Sequence, residues 1–247
     1  MIDFIFKRKP IYLDCFTTNP LAYEFAPIQL ANQFVPEWWK ALPKNYRIAN
    51  EHPPVPHSTM RKCAGLIDIY STGLMIPLWS DLVIEIATNG DYSWKFADEE
   101  SMNAIHNKEQ AGTFFDDNNV VHMKIVSPWL FSCNDDVKWY FTQPVWNHNL
   151  AKDFCIPSGI LEFKYQGSTH INTLIRKQNC VISLPHGMPM AHVVPLSERP
   201  VKIKNHLLSA QEMVKKQPMQ RSVVFENSYY KKRKLIQNKK SQCPFNF

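Results

Sequence analysis

RKCAGLIDIYSTGLMIPLWSDLVIEIA, from Arg61 to Ala87, is the most concentrated apolar passage of the chain, and its reading decides the fold class. Leu66, Ile67, Ile69 and Tyr70 recur at near-helical spacing, and Gly73 then offers the residue that takes positive φ where a helix stops. A short helix ending at Ser71 or Thr72 is expected. Beyond it, the branched residues of Leu74 to Ile76, and the alternation of Leu82, Ile84 and Ile86 with Val83 and Glu85, predict two strands. Pro77 cannot donate to a ladder, which places a bend between them with Trp79 covering it. Asp68, Asp81 and Glu85 read as solvent-facing or capping groups rather than a carboxylate cluster, since carboxylates are rarely buried unpaired.

Working back towards the start, Ile2 to Phe6 and Ile11 to Phe16 read as strands, followed by a turn at Thr17-Thr18-Asn19-Pro20. Pro36-Glu37-Trp38-Trp39-Lys40-Ala41-Leu42 is bounded by prolines as a brief helix, in which one of Trp38 and Trp39 covers the core and the other is partly exposed. Residues 44 to 60, with Pro53, Pro54 and Pro56 beside His52 and His57, form an ordered surface loop.

Working forward, Asn89-Gly90 between alternating runs is the strongest local hairpin signal. A helix around Glu99 to Asn107 forms an acidic surface excursion. From Val120 the β pattern persists through VVHMKIV, WLFS, VKWYFT, GILEFKY, INTLIR, CVISL, MAHVVPL and VKIKN, with turn residues between. Short strands without long intervening helices predict a mainly β fold, an antiparallel two-sheet sandwich or jelly roll, and exclude a doubly wound α/β fold. Ser209 and Glu212 form a capping box for a helix that Pro218 ends, and Val223 to Tyr230 adds one more element. Residues 1 to 230 are read as one domain with a helical and loop elaboration at 20 to 72, and 231 to 247 as a basic tail.

Composition fits a folded, proline-punctuated protein: 45% of the 247 residues are apolar, and 18 prolines stand against 7 glycines. The net charge of +6 comes from 28 basic and 22 acidic residues, and six of the basic ones lie in KKRKLIQNKK at 231 to 240. The body is therefore neutral, and only Lys231, Lys232, Arg233, Lys234, Lys239 and Lys240 present a field for nucleic acid or an acidic surface. The six cysteines form no C-x-x-C pair and read as free thiols of a reducing compartment. The opening MIDFIFKRKP has the wrong order for a secretory signal, and no stretch is apolar for long enough to span a membrane. The expected location is a reducing cytoplasm.

Catalytic signatures are scarce. A metal-binding jelly roll needs two ligands two apart on one strand, yet none of the nine histidines begins H-x-H, H-x-D or H-x-E. His186 and His192, across the turn Gly187-Met188-Pro189, are the nearest candidates for an atypical iron or zinc site, which would need a distant third ligand such as His122 or His170. G-x-S-x-G, P-loop and G-x-G-x-x-G sequences are absent. Aromatics carry more signal. Trp129, Trp139 and Trp146 gather in a short span and, with Trp39, are the candidate partner-binding residues, against the plainer alternative of core packing.

Pro36-Glu37-Trp38-Trp39-Lys40, Lys62-Cys63-Ala64-Gly65 with Ile76-Pro77-Leu78-Trp79-Ser80-Asp81, and Gly187-Met188-Pro189-Met190-Ala191-His192-Val193-Val194-Pro195-Leu196 together resemble an uncharacterised protein family of marine tailed phages. These motifs span most of the chain, and their Trp, Pro and Gly residues suit turns and core positions. The resemblance implies a viral origin, hence a location in the host cytoplasm or the virion, and brings no activity or catalytic residues with it. Two functions follow as expectations: a non-enzymatic phage protein binding another virion protein or a host protein without any cofactor, or a cupin-like or oxygenase-like metal-dependent barrel enzyme.

Overall fold

The computed structural model describes residues 8–88, 91–98, 101, 103–105, 120–147, 154–176 and 179–216. The expected strand at Ile2 to Phe6, the Asn89-Gly90 turn, Pro218, the element at Val223 to Tyr230 and the whole basic tail lie outside them. In chain order, β1 (Ile11–Thr17), α1 (Pro20–Phe25) and β2 (Gln29–Leu30) lead to a 3-10 turn at Ala31–Phe34 and to α2 (Glu37–Ala41). Then come β3 (Asn45–Tyr46), β4 (His57–Ser58), α3 (Ala64–Ser71), β5 (Leu74–Pro77), β6 (Leu82–Ile86), β7 (Tyr92–Phe96) and β8 (Asn103–Ile105). β9 (Val121–Ser132), β10 (Trp139–Thr142), β11 (Phe154–Cys155), β12 (Gly159–Leu161), β13 (Ser168–Ile175), β14 (Cys180–Leu184), β15 (Pro189–Pro195), β16 (Val201–Leu207) and α4 (Ala210–Lys216) complete it.

The protein is mainly β, with several antiparallel sheets. One large sheet runs β11-β13-β9-β1-β16, and β8 pairs with β9 beside it. β13 takes one edge of β9 along most of its length, so β8, at 123–125, and β1, at 130–132, share the other. A second sheet runs β12-β10-β15-β5-β2, and a third runs β14-β6-β7. Ile11, Leu13, Met123, Ile125 and Ile171 from the first, Leu74, Ile76, Met190 and Val193 from the second, and Leu82, Ile84 and Leu184 from the third belong to one contiguous core.

The opening passage folds as its pattern predicts: α3, then a glycine, then two strands. Gly73 sits at φ +80°, and a Cβ built on it would lie 2.4 Å from the Val193 carbonyl oxygen of the neighbouring β15. Only glycine satisfies both the left-handed backbone and the close approach. β5 is wholly buried, and Trp79 beyond Pro77 is 2% exposed, stacked on Phe96 and donating from Nε1 to Ser101 Oγ at 2.9 Å. α3 is less amphipathic than its spacing implies, for Ile67 and Ile69 are exposed while Leu66 and Tyr70 are buried.

Three expectations are corrected. Residues 103–105, read as part of a helix around Glu99 to Asn107, form β8, because β9 offers a free ladder edge there. VVHMKIV and WLFS are not two strands but the single β9, and Pro128 is accommodated by a register shift: Ser168 faces Leu130 whereas His170 faces Val126. The sheets are not uniformly antiparallel either. β1 and β16 run parallel through seven pairs, Ile11 against Val201 to Thr17 against Leu207. Loop 44 to 60 also carries a small ladder, β3 with β4, and its His57 bonds Glu51 at 2.7 Å.

Candidate functional site

The side chains that combine exposure with fixed geometry lie where α2 meets the turn after β10. Pro36 is the extended N-cap residue before α2, and Trp38 and Trp39 within the helix point different ways. Trp39 turns inward, stacks on Tyr70 with ring centroids 6.1 Å apart, and donates from Nε1 to the Met60 carbonyl at 2.8 Å. Trp38 turns outward, remains 42% exposed, and donates from Nε1 to the Trp146 carbonyl at 2.9 Å. Trp146 is 42% exposed too, and the two indoles lie 6.1 Å apart, tilted by 44°. Val145 beside them is exposed.

This platform is held from both ends. Gln143, at its start, is buried and acts as a backbone substitute: Nε2 donates to the Phe154 carbonyl and Oε1 accepts from the Ile156 amide, both at 3.0 Å. Asn147, at its end, donates from Nδ2 to the Phe34 carbonyl at 2.6 Å and accepts at Oδ1 from the Tyr70 hydroxyl at 2.7 Å. Burial pushes the Tyr70 phenol up to about 12, so it stays a donor at any physiological pH. Backbone bonds Val145 N to Gln143 O and Asn147 N to Pro144 O close the turn, each at 3.0 Å. Exposed indoles on so constrained a base lose little conformational entropy when covered, which is how aromatic hot spots gain affinity.

Of the four tryptophans expected to bind a partner, Trp146 alone is a surface side chain of this kind. Trp129 and Trp139 are 1% and 0% exposed and belong to the core, so they are corrected to packing residues; their inward orientation follows from the strand period. Trp39 is half-buried with its ring against Tyr70, and Trp38 is the more exposed of the two. Spacing within a helix this short gave no way to choose between them. Lys231, Lys232, Arg233, Lys234, Lys239 and Lys240 lie outside the described residues.

A second feature lies between the two large sheets. Lys124, Ser168, Thr169, His170 and Asn172 of β9 and β13, facing Phe141, Leu161 and the Pro157-Ser158-Gly159 turn, line a cleft of about 360 Å³. Ser158, which lines it, accepts from the Tyr140 hydroxyl at 3.1 Å and donates to Thr142 Oγ1 at 3.0 Å, on the face of β10 opposite Phe141. Those two hydroxyls hold the Tyr140 phenol below its ordinary value.

The described histidines do not gather into a metal-binding group. His192, 2% exposed, is held with Nε2 2.8 Å from the Thr72 carbonyl, and burial lowers its pKa. The exposed His186 lies edge-on to Phe25, its backbone amide bonded to Asp81 Oδ1 at 2.6 Å. Among the described residues, no three His, Cys, Asp or Glu side chains gather in a way that could hold a metal ion. Cys15, Cys63, Cys133, Cys155 and Cys180 are free thiols, and burial raises the first and third of their pKa values. No described helix is long and apolar enough to cross a membrane. No protein-family model matches the chain, and no curated protein matches it significantly.

Proposed function

We propose that the chain is a non-enzymatic phage protein that binds a protein partner, either another virion component or a host protein, through the Trp38–Trp146 platform. The observation that carries this reading is the exposed indole pair, pinned by Gln143, Asn147 and Tyr70. Two adjacent indoles left open to water carry an apolar cost that a protein surface offsets by covering them, and tryptophan is among the residues that dominate such contacts. We read the two large sheets as layers of a sandwich of the jelly-roll kind, since both send buried residues into one core. The layer then acts as a scaffold, and the contact surface lies on its turns and helical elaboration. The basic tail adds a salt-sensitive contact with nucleic acid or an acidic surface, and the site of action is the host cytoplasm or the particle. No specific observation favours the metal-dependent barrel enzyme.

The test is the double variant Trp38→Ala/Trp146→Ala beside wild type, with membership of purified particles and cross-linking to host protein both followed by mass spectrometry. The variant is expected to keep its thermal midpoint within a few degrees, because both side chains are surface groups, and to lose the association seen for wild type. An unchanged association overturns the platform. Stoichiometric iron or zinc that is lost on His192→Ala overturns the non-enzymatic reading altogether.

A further inference from the structure

The cleft between the sheets has a composition that the partner-binding reading does not use. Phe141, Leu161 and Pro157 give it an apolar part. Its walls carry hydroxyls and amides, Ser158, Ser168, Thr169, Gln166 and Asn172, together with Lys124 and His170. No carboxylate is among the described lining residues.

One lining atom is out of balance. Thr169 is 2% exposed, and its Oγ1 has no hydrogen-bond partner. The cause lies in the ladder. Pro128 has no amide to give, so β9 gains extra residues opposite β13, and the pairing jumps between Ser168 and His170, leaving Thr169 in the gap. Ser127 serves its own strand by accepting the Trp129 amide at 3.2 Å. A buried hydroxyl without a partner is uncommon in native proteins, and one that borders a cleft is placed to bond whatever fills it.

We propose that this cleft binds a monosaccharide-sized polyol bearing one negative charge, such as a sugar phosphate or a sugar acid. Size is the first argument: about 360 Å³ equals the share of roughly a dozen liquid waters, which suits one sugar ring with its anionic substituent. Chemistry is the second. The Phe141 ring and Leu161 suit the apolar face of a pyranose, the Ser158, Ser168 and Thr169 hydroxyls suit its alcohols, and Lys124 fixes the anion, with no carboxylate among the described lining residues. The site shares no residue with the Trp38–Trp146 platform.

Calorimetric titration of the full chain with glucose 6-phosphate, glucuronate, glucose and inorganic phosphate tests this. At least one anionic sugar should bind with unit stoichiometry and at least about tenfold more tightly than glucose or phosphate. Lys124→Gln should bring the anionic sugar down to the level of glucose. Thr169→Val should weaken every sugar several-fold and yet raise the thermal midpoint of the unliganded protein, because it removes an orphan hydroxyl at nearly constant shape. Trp38→Ala/Trp146→Ala should leave the titration unchanged, so loss of the platform reading and loss of this one are separable. Equal affinity for glucose and the charged sugars, wild-type binding by both cleft variants, or no heat with any probe up to about 10 mM overturns the proposal.

Discussion

Replacing Gly73 by alanine asks the protein to absorb two separate insults at the joint between α3 and β5. The backbone there is at φ +80°, where an L-residue with a Cβ costs roughly 1–2 kcal/mol. The added methyl would also lie 2.4 Å from Val193 O, 3.0 Å from Val194 Cα and 3.1 Å from Val193 C. All three are backbone atoms of a central strand, so no rotamer change relieves the contact, and either β5 or β15 must move. Overpacking of this kind adds about 1–3 kcal/mol. The expected total is about 3 kcal/mol, which in a domain of this size lowers the thermal midpoint by roughly 6–12 °C. Gly187 supplies the control. It has nearly the same backbone, φ +76°, but nothing lies within 4 Å of its would-be Cβ, so Gly187→Ala should cost only the conformational part, about 1–2 kcal/mol. Urea unfolding of both variants, with unchanged slope against denaturant, gives the difference directly. If Gly73→Ala costs no more than Gly187→Ala, the close approach to Val193 has no energetic weight, and the reasoning fails.

The remaining predictions concern polar groups that hold the fold together. Burial holds the His192 pKa below its ordinary 6.5. The unfolded chain therefore takes up a proton that the folded one refuses, and stability that is full above about pH 6.5 falls as the pH drops through that value towards the folded pKa. Between about pH 7 and pH 5, His192→Gln should lose less stability than wild type, and parallel loss in thermal scans would show that His192 does not contribute to the slope. Gln143→Leu leaves the Phe154 carbonyl and the Ile156 amide unpaired in the interior and should cost about 2–4 kcal/mol by urea unfolding; a change below about 1 kcal/mol would mean the two groups find other partners. Arg199 joins Asp135 at 2.9 Å and donates to the carbonyls of Lys9 and Pro10, so Arg199→Met should speed amide exchange at Ile11 and its neighbours, while unchanged exchange would show that the clamp is not what holds the start of β1.

How much of this was legible in the sequence depends on the range of the interaction. Local devices were readable: the Ser209–Glu212 capping box forms with Glu212 Oε2 accepting the Ser209 amide at 2.8 Å, β6 and β7 pair across the Asn89-Gly90 position, and the helix, glycine and strands of 61 to 87 fall in place. Non-local pairing was not. Nothing within β8 distinguishes it from a helix until β9 presents an edge, and parallel strands separated by nearly the whole chain leave no periodic trace. The tryptophans show the same division. Strand alternation establishes that Trp139 and Phe141 share a face, but not that the face is the core, and the choice between Trp38 and Trp39 was made by Tyr70, far along the chain. The cleft was the least legible of all. It depends on a register jump that Pro128 forces, and on Thr169 falling opposite it.

The parallel pairing of β1 with β16 has a consequence for the chain as it is made. Asp14 and His206, which meet at 2.7 Å across that seam, are 192 positions apart. At typical ribosomal speeds the partner of β1 emerges roughly 10–40 s after β1 itself. Until then one ladder edge of β1 has nothing to bond, however early β9 takes the other. The nascent chain therefore carries an adhesive border for nearly the whole of its synthesis, and translation halted before Val201 would leave a product that is sound in most of its sheets yet prone to stick to its neighbours.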